Sequence, residues 1–186
     1  KAILPEGAGE YVHWGATSQD IVDTGIVLLQ RDAYHVIVRD MKECQKAALA
    51  LAKKYRDMPM AGRTHVVHAI PITFGYKCAV WADELGRDIT RLKEIKERCF
   101  VGELAGAVGT LASMPEKGLA VQKRMMDILG LSVPTIAWHV ARDNQAEFCT
   151  VLALCAGTLG RINHEIFSLQ HTEILELEEP FFMGKI

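Results

Sequence analysis

Apolar residues recur at helical spacing over long stretches of this 186-residue chain, and the strict alternation typical of half-buried strands is scarce. No proline interrupts the stretch from Ser18 to about Arg56. Most of its apolar positions lie three or four residues apart, which places them on one helix face: Ile21, Val22, Ile26, Leu29, Ala33, Ile37, Met41, Ala48 and Leu51. The pattern predicts a long first helix over 18–56.

Two further helices are predicted between segments rich in proline and glycine. One covers about 71–98 and begins with Pro71, a residue suited to the first turn of a helix. The Gly-rich stretch GELAGAVGT (102–110) breaks the helical pattern. A shorter helix is predicted over about 115–129.

The last predicted helix runs from Asp143 to about Leu177, which is roughly 35 residues or about 50 Å of helix. Its apolar residues lie on more than one side: Phe148, Val151, Leu152, Leu154, Cys155, Leu159, Ile162, Ile166, Phe167 and Leu169. Such a helix needs burial on more than one side, and three rods of this kind cannot easily cover one another. We therefore predict an all-α, long-helix bundle that is obligately oligomeric.

The composition fits a globular protein: 49% of residues are hydrophobic, 24% are charged and the net charge is −2. The 21 Lys and Arg residues are dispersed, which argues against a nucleic-acid partner, and no apolar run approaches the roughly 20 residues of a membrane span. The five cysteines are odd in number and widely spaced, without a CxxC pair. We expect reduced thiols in a cytoplasmic protein.

A polar segment, GATSQD (15–20), directly precedes the first predicted helix. One interpretation is N-capping, in which Thr17 or Ser18 caps the helix and Asp20 favours the positive end of the helix dipole. That role leaves His13 and one of the two hydroxyls unexplained. The alternative is that amides and hydroxyls at this helix start bind an anion, such as a substrate carboxylate or phosphate.

A second polar segment, GRTHVVHAIP (62–71), connects the first two long helices. His65 and His68 could form a metal pair, but no Cys, Asp or Glu nearby completes a site, so we expect no metal. Two interpretations stay open. The polar side chains hold the loop in place, or a histidine performs acid–base chemistry beside an Arg or Thr that binds a carboxylate.

Two further stretches have ordinary structural explanations. In PTIAWHVARD (134–143), Asp143 can cap the last helix, and Trp138 has apolar neighbours in the sequence that suit core packing. In QHTEILELEEP (170–180), the carboxylates can be a solvated helix end.

Together these stretches resemble the fumarase/aspartase superfamily, most closely its branch of adenylosuccinate lyases and 3-carboxy-cis,cis-muconate cycloisomerases. The matching motifs are VHWGATSQDIVDT from Val12, GRTH from Gly62, HAIPITFG from His68, GAVGT from Gly106, RDNQAEF from Arg142 and QHTE from Gln170. They cover nearly the whole chain in the family's order.

The resemblance implies the central helical domain of this fold over 17–186, preceded by the end of an N-terminal domain or a linker over 1–16. It implies a homotetramer with a common helical core. The active sites of this superfamily are assembled from regions of three subunits. No cofactor or metal is expected.

Residue roles follow from the matched motifs. The T-S-x-D segment is expected to bind a small carboxylate substrate through Thr17, Ser18, Gln19 and Asp20. In the R-T-H segment, Arg63 and Thr64 are expected to bind substrate, and His65 matches the general acid of adenylosuccinate lyases. His13 matches another active-site histidine of that branch.

The implied chemistry is β-elimination or its reverse, through a carbanion next to a carboxylate. Trp138 stands where adenylosuccinate lyases commonly have a substrate-binding Gln, so we expect a specificity role for it and a cycloisomerase-like preference. The alternatives are an adenylosuccinate lyase of purine biosynthesis, and a non-catalytic helical assembly fragment.

The resemblance also implies a flexible G-S-S-x-M-P loop that carries the serine base and follows a segment like EPFFMGKI (179–186). This loop is not among the 186 residues. We therefore expect the chain to be a fragment that is inactive alone.

Overall fold

A computed structural model describes residues 3–180 of the chain. Four α-helices account for most of this part: α1 (Ser18–Lys54), α2 (Phe74–Cys99), α3 (Gly118–Leu129) and α4 (Asp143–Leu169). Two strands, β1 (Pro59–Thr64) and β2 (Val67–Thr73), separate α1 from α2, and a short 3-10 helix (Ala8–Tyr11) precedes α1. The predicted all-α, long-helix architecture is confirmed. The segment 181–186, which the prediction of a following serine loop uses, lies outside the described residues.

The fold divides into two compact units. The first comprises the chain through Ile37 and Lys93–Cys149, and the second comprises Val38–Leu92 and the chain from Thr150 onward. In the first unit, Tyr34 packs edge-on against Phe100 with ring centroids 5.2 Å apart, and Phe100 contacts Phe148. In the second unit, Phe74 packs edge-on against Trp81. Each unit therefore has its own aromatic core.

The connection between α1 and α2 is a β-hairpin rather than the irregular loop expected from its polar residues. Its strands are antiparallel, and Pro71 lies in β2 opposite Ala61. The prediction that Pro71 begins the second helix is therefore wrong, and α2 begins at Phe74. A proline lacks an N–H, and it is tolerated here because a two-stranded hairpin has only edge strands.

The last helix ends earlier than predicted, at Leu169 instead of about Leu177. The chain reverses there, because Leu175 adopts a left-handed backbone with φ of 47°. The amides of Glu176 and Leu177 then donate to the carbonyl of Leu169, at 3.0 and 3.2 Å. This return caps the helix end and brings Glu176 back toward α4.

Many apolar side chains on the long helices remain exposed. On α1 they include Ile21, Val22, Ile26 and Leu29, and on α4 they include Leu154, Leu159 and Phe167. This agrees with the prediction that these rods have more apolar surface than one chain covers. Among residues 3–180, no helix combines the length and apolar character that crossing a membrane requires.

Candidate active site

The start of α1 is capped by a carboxylate, which leaves its hydroxyls open. The backbone N–H of Thr17 donates to Oδ2 of Asp20 at 2.9 Å, the reverse half of a capping box. The side-chain hydroxyls of Thr17 and Ser18 have no hydrogen-bond partner among residues 3–180. Gln19 donates to Asp23 at 2.8 Å. Capping therefore engages Asp20, and two hydroxyls stay available at the positive end of the helix.

Asp20 is fully buried, and its carboxylate accepts several hydrogen bonds. Besides Thr17, its carboxylate accepts hydrogen bonds from the amides of Ala105 and Gly106, at 3.1 and 3.0 Å. Its Oδ1 also lies 2.6 Å from Nε2 of His139. Burial alone would raise the pKa of Asp20, but these hydrogen bonds outweigh it and hold the pKa below its ordinary value.

Gly106 explains why the GAVGT motif contacts the start of α1. Its φ of 77° lies in the left-handed region, and a Cβ added there would lie 2.9 Å from the carbonyl oxygen of Gly15. Only glycine combines that conformation with so close an approach. Its amide is thereby placed to donate to Asp20.

Glu103 is another buried carboxylate of the first unit, and the sequence pattern did not single it out. Its Oε2 accepts a hydrogen bond from the amide of Trp138 at 2.6 Å, whereas Oε1 is buried and unpartnered among the described residues. Burial raises its pKa above the ordinary value. Its position between the small and apolar residues of GELAG was the one feature of the sequence that could have indicated a buried carboxylate.

Trp138 is only 8% exposed, and its indole N–H donates to the carbonyl of Gly102 at 2.9 Å. The guanidinium of Arg142 lies 5.7 Å above its ring and also donates to Asp23 at 2.7 Å. This environment matches the core packing that the sequence suggested for Trp138. The specificity role expected for Trp138 stays a prediction.

Asp20, Glu103 and His139 bring one potential ligand atom each within 4.8 Å of one another. A cation there would have to separate His139 from Asp20, whose atoms already lie 2.6 Å apart. It would also compete with the three amides that occupy the lone pairs of Asp20. The arrangement is that of a buried hydrogen-bond network.

In the second unit, the hairpin presents His65 in a strained turn. His65 and Val66 join β1 to β2, with φ of 52° and 60°. Two-residue turns with both positions left-handed usually carry Asn or Gly, because a Cβ is unfavourable there. Thr64 and His65 are exposed, and Val66 is 95% exposed. Strain of this kind recurs at functional sites.

Arg63 precedes this turn and is held by Glu176. Its two terminal nitrogens donate to the two carboxylate oxygens of Glu176 at 2.7 and 2.8 Å, a bidentate geometry. The Arg63 side chain also lies 3.4 Å from Nε2 of His68. Hydrogen bonding from Arg63 lowers the pKa of Glu176, and the same bond raises the pKa of Arg63.

The predicted site residues thus fall into two groups, one in each compact unit. The first unit holds Thr17, Ser18, Gln19, Asp20 and Trp138, together with His13, and the second holds Arg63, Thr64 and His65. His13 is exposed on the segment before α1, with φ of 68°. Its left-handed backbone adds a second strained histidine to the candidate residues.

A cavity of about 610 Å³ in the second unit is a poor match for a carboxylate substrate. Its lining is mostly apolar, and Glu176 and Glu178 contribute its carboxylates. No Lys, Arg or His is among the described residues that line it, so a carboxylate would have no positively charged partner there. The hydroxyls of the α1 start and the exposed turn of the hairpin are better candidates.

Comparison with known proteins identifies the family of this chain. A family profile described as "Lyase" matches residues 4–185. N-acetyl-S-(2-succino)cysteine lyase of Enterococcus italicus is 52% identical over 178 residues, which are 96% of this chain and 39% of the relative. Adenylosuccinate lyase of Methanothermobacter thermautotrophicus is 50% identical over 175 residues, 94% of this chain and 39% of the relative.

Among solved structures, beta-carboxy-cis,cis-muconate cycloisomerase from Acinetobacter calcoaceticus sp. ADP1 matches with a TM-score of 0.92 and 41% identity, over 94% of this chain and 41% of that chain. The chain belongs to this lyase family, the fumarase/aspartase superfamily. It spans about two fifths of the length of the relatives it matches.

Proposed function

We propose that the complete protein is a lyase that performs β-elimination, or its reverse, on a substituted succinate. Two relatives are 52% and 50% identical to this chain over the 178 and 175 residues that they share with it. Their names, N-acetyl-S-(2-succino)cysteine lyase and adenylosuccinate lyase, both denote succinylated substrates. Their leaving atoms differ, sulfur in one and nitrogen in the other. We therefore propose that the substrate of this protein also carries a succinyl group.

The observation that carries the proposal is the start of α1. The hydroxyls of Thr17 and Ser18, which have no partner among residues 3–180, lie at the positive end of a 37-residue helix. A dicarboxylate substrate supplies the acceptors that these donors need. Gln19 follows these residues and donates to Asp23. Asp20 fixes the segment by accepting a hydrogen bond from the amide of Gly106.

The proposed reaction breaks two bonds of the succinyl group. A base removes a proton from the carbon next to one carboxylate, the electron pair forms a carbon–carbon double bond, and the bond to the leaving atom breaks. His65 donates a proton to the leaving atom, so that fumarate and the protonated leaving group are the products. The resemblance assigns the base to the serine of the family's G-S-S-x-M-P loop, and we propose that His13 joins the site as a second histidine.

A cycloisomerase reaction is the second candidate, and Trp138 favours it. An indole at this position offers no hydrogen-bond acceptor and fills volume, which suits a smaller substrate without a nucleotide. In that reaction, a carboxylate adds across a double bond of 3-carboxymuconate to form a lactone. A non-catalytic assembly role is the remaining alternative.

We further propose a cytoplasmic homotetramer. Exposed apolar residues on α1 and α4 support burial against other subunits, and five free thiols support a reducing compartment. Light scattering on the complete protein tests this: a mass of four chains is expected, and a monomer at micromolar concentration would contradict it.

The test of function is a substrate panel on the complete gene product, followed by ultraviolet absorbance. N-acetyl-S-(2-succino)cysteine, adenylosuccinate and 3-carboxymuconate are offered separately. Fumarate release from either succinyl compound supports the main proposal, and loss of the conjugated diene of 3-carboxymuconate supports the second candidate. No turnover of any of the three would contradict both.

Variants of the α1 start then test the binding role. Ser18→Ala should raise KM about 10-fold, the cost of roughly one charge-assisted hydrogen bond. Ser132→Ala removes an exposed hydroxyl of the same unit and serves as the control. Equal KM values for the two variants would remove Ser18 from the site.

A further inference from the structure

We propose that Glu176 is a positioning residue for His65, acting through Arg63 and the first strand of the hairpin. This inference rests on the proposed function, because it assigns His65 the role of proton donor. Glu176 lies 113 residues from Arg63 in the chain, in a segment whose sequence pattern indicated only a solvated helix end.

The first line of support is that the hairpin turn is unfavourable by itself. His65 and Val66 are both left-handed, at a cost of roughly 1–2 kcal/mol for each non-glycine residue. A β-branched residue such as Val66 is especially rare in this conformation. Such a turn persists only when the surrounding structure holds it.

The second line is an irregularity in β1 next to Arg63. The register of the two strands shifts between Ala61 and Arg63. Gly62 lies between them, and a Cβ added there would be 2.3 Å from the carbonyl oxygen of Ile70. A bulge re-aims the side chain that follows it. Here that side chain is Arg63, two residues before His65.

The third line is the way in which Glu176 is itself fixed. Its amide donates to Leu169 at the end of α4, and its carboxylate accepts from Arg63 through both oxygens. The side chains of Arg63 and Glu176 are only 20% and 24% exposed. Arg63, and after it the amide of Ala61, lower the pKa of Glu176, so the carboxylate is ionised at neutral pH.

Glu176 therefore links a rigid helix end to the strand that leads into the turn. The linkage has a consequence for Arg63, which the motif assigns to substrate binding. A guanidinium engaged bidentately by an internal carboxylate has few donors left for a ligand. Positioning predicts a loss in kcat when the pair is broken, whereas substrate binding by Arg63 predicts a rise in KM.

The experiment uses Glu176→Gln in the complete protein, which keeps the size of the side chain and removes its charge. We expect kcat to fall about 10- to 100-fold with KM changed less than about 2-fold, because small misplacements of a catalytic group have effects of this size. Glu176→Asp, which keeps the charge, should recover part of the loss. Wild-type kcat in Glu176→Gln, or a rise in KM alone, would overturn the proposal.

Glu84→Gln is the matched control. Glu84 pairs with Arg161 in the same unit, and its side chain is 24% exposed, as is that of Glu176. It should retain wild-type kcat at similar stability. If both variants lose kcat equally, the effect of Glu176 is a general loss of stability and the proposal is wrong.

Hydrogen exchange separates this proposal from the proposed function. The amides around the turn, from Thr64 to Val67, should exchange at least 10-fold faster in Glu176→Gln than in the wild type and in Glu84→Gln. This readout needs no substrate. Faster exchange in a protein without turnover on the panel would leave the link intact while the proposed function fails. Unchanged exchange would reject the link itself.

Discussion

Nε2 of His139 lies 2.6 Å from Oδ1 of Asp20, although the two residues are 119 positions apart in the chain. The contact joins the segment before α4 to the start of α1. The carboxylate of Asp20 also accepts hydrogen bonds from the amides of Ala105 and Gly106 in the GELAGAVGT stretch, so three separate stretches meet at one buried carboxylate. The geometry of the α1 start therefore depends on residues far from it in the sequence.

The first prediction concerns Asp20→Asn. An amide nitrogen in place of one oxygen would face N–H donors and leave them unpartnered, so we expect the free energy of unfolding to fall by about 3 kcal/mol. Denaturant unfolding of the complete protein at fixed concentration measures this. Asp32→Asn, which removes an exposed carboxylate of the same helix, should change stability by less than about 0.5 kcal/mol. Similar losses in both would contradict the network.

The second prediction is the pH dependence of that loss. Because the pKa of Asp20 is lower in the folded than in the unfolded state, its contribution is complete above the unfolded pKa of about 3.9. The contribution disappears as the pH falls through the folded pKa. The stability difference between wild type and Asp20→Asn should therefore shrink as the pH falls below about 4. A difference that grows on acidification would have the wrong sign.

The third prediction concerns Glu103→Gln, which should stabilise the protein, whereas Asp20→Asn should destabilise it. Burial raises the pKa of Glu103, so its ionisation destabilises the folded state once the pH exceeds the unfolded pKa of about 4.3. Gln keeps an oxygen for the amide of Trp138 and cannot ionise. We expect a gain of about 1 kcal/mol at pH 8 that vanishes near pH 4. Glu97→Gln, at an exposed site of the same unit, is the control, and an equal gain in both variants would contradict an effect of burial.

The fourth prediction tests the strain in the hairpin turn. Val66→Gly should raise the free energy of unfolding by roughly 1 kcal/mol, because glycine adopts a left-handed backbone without a Cβ clash. Val140 is as exposed, at 94%, but its φ is not positive. Val140→Gly should therefore leave stability unchanged or lower it. If Val66→Gly destabilises the protein like Val140→Gly, the turn is not strained.

The helices were predictable where apolar periodicity and a polar start coincide. Ser18 begins α1 and Asp143 begins α4, as predicted. The hairpin was not predicted, because Gly62 and the prolines hide the alternation on which strand prediction depends. The end of α4 was overestimated, since the reversal at Leu175 depends on backbone contacts with Leu169 that local sequence does not encode.

Some residues of the candidate site could be predicted from motifs, and others could not. Motif matching nominated Thr17, Ser18 and His65, and the structure leaves all three free of side-chain partners among residues 3–180. It did not nominate Glu103 or Glu176, whose partners lie 35 and 113 residues away. Contacts of that range arise from the fold, and a single sequence has no local signal for them.

All three places where the chain passes between the two compact units fall inside helices, namely α1, α2 and α4. Neither unit is a continuous piece of polypeptide, and no loop joins them that a protease or a gene fusion could use as a boundary. Recombination that exchanged one unit would have to cut three helices and rejoin them in register. Engineering of this chain is therefore better directed at exposed side chains than at the exchange of either unit.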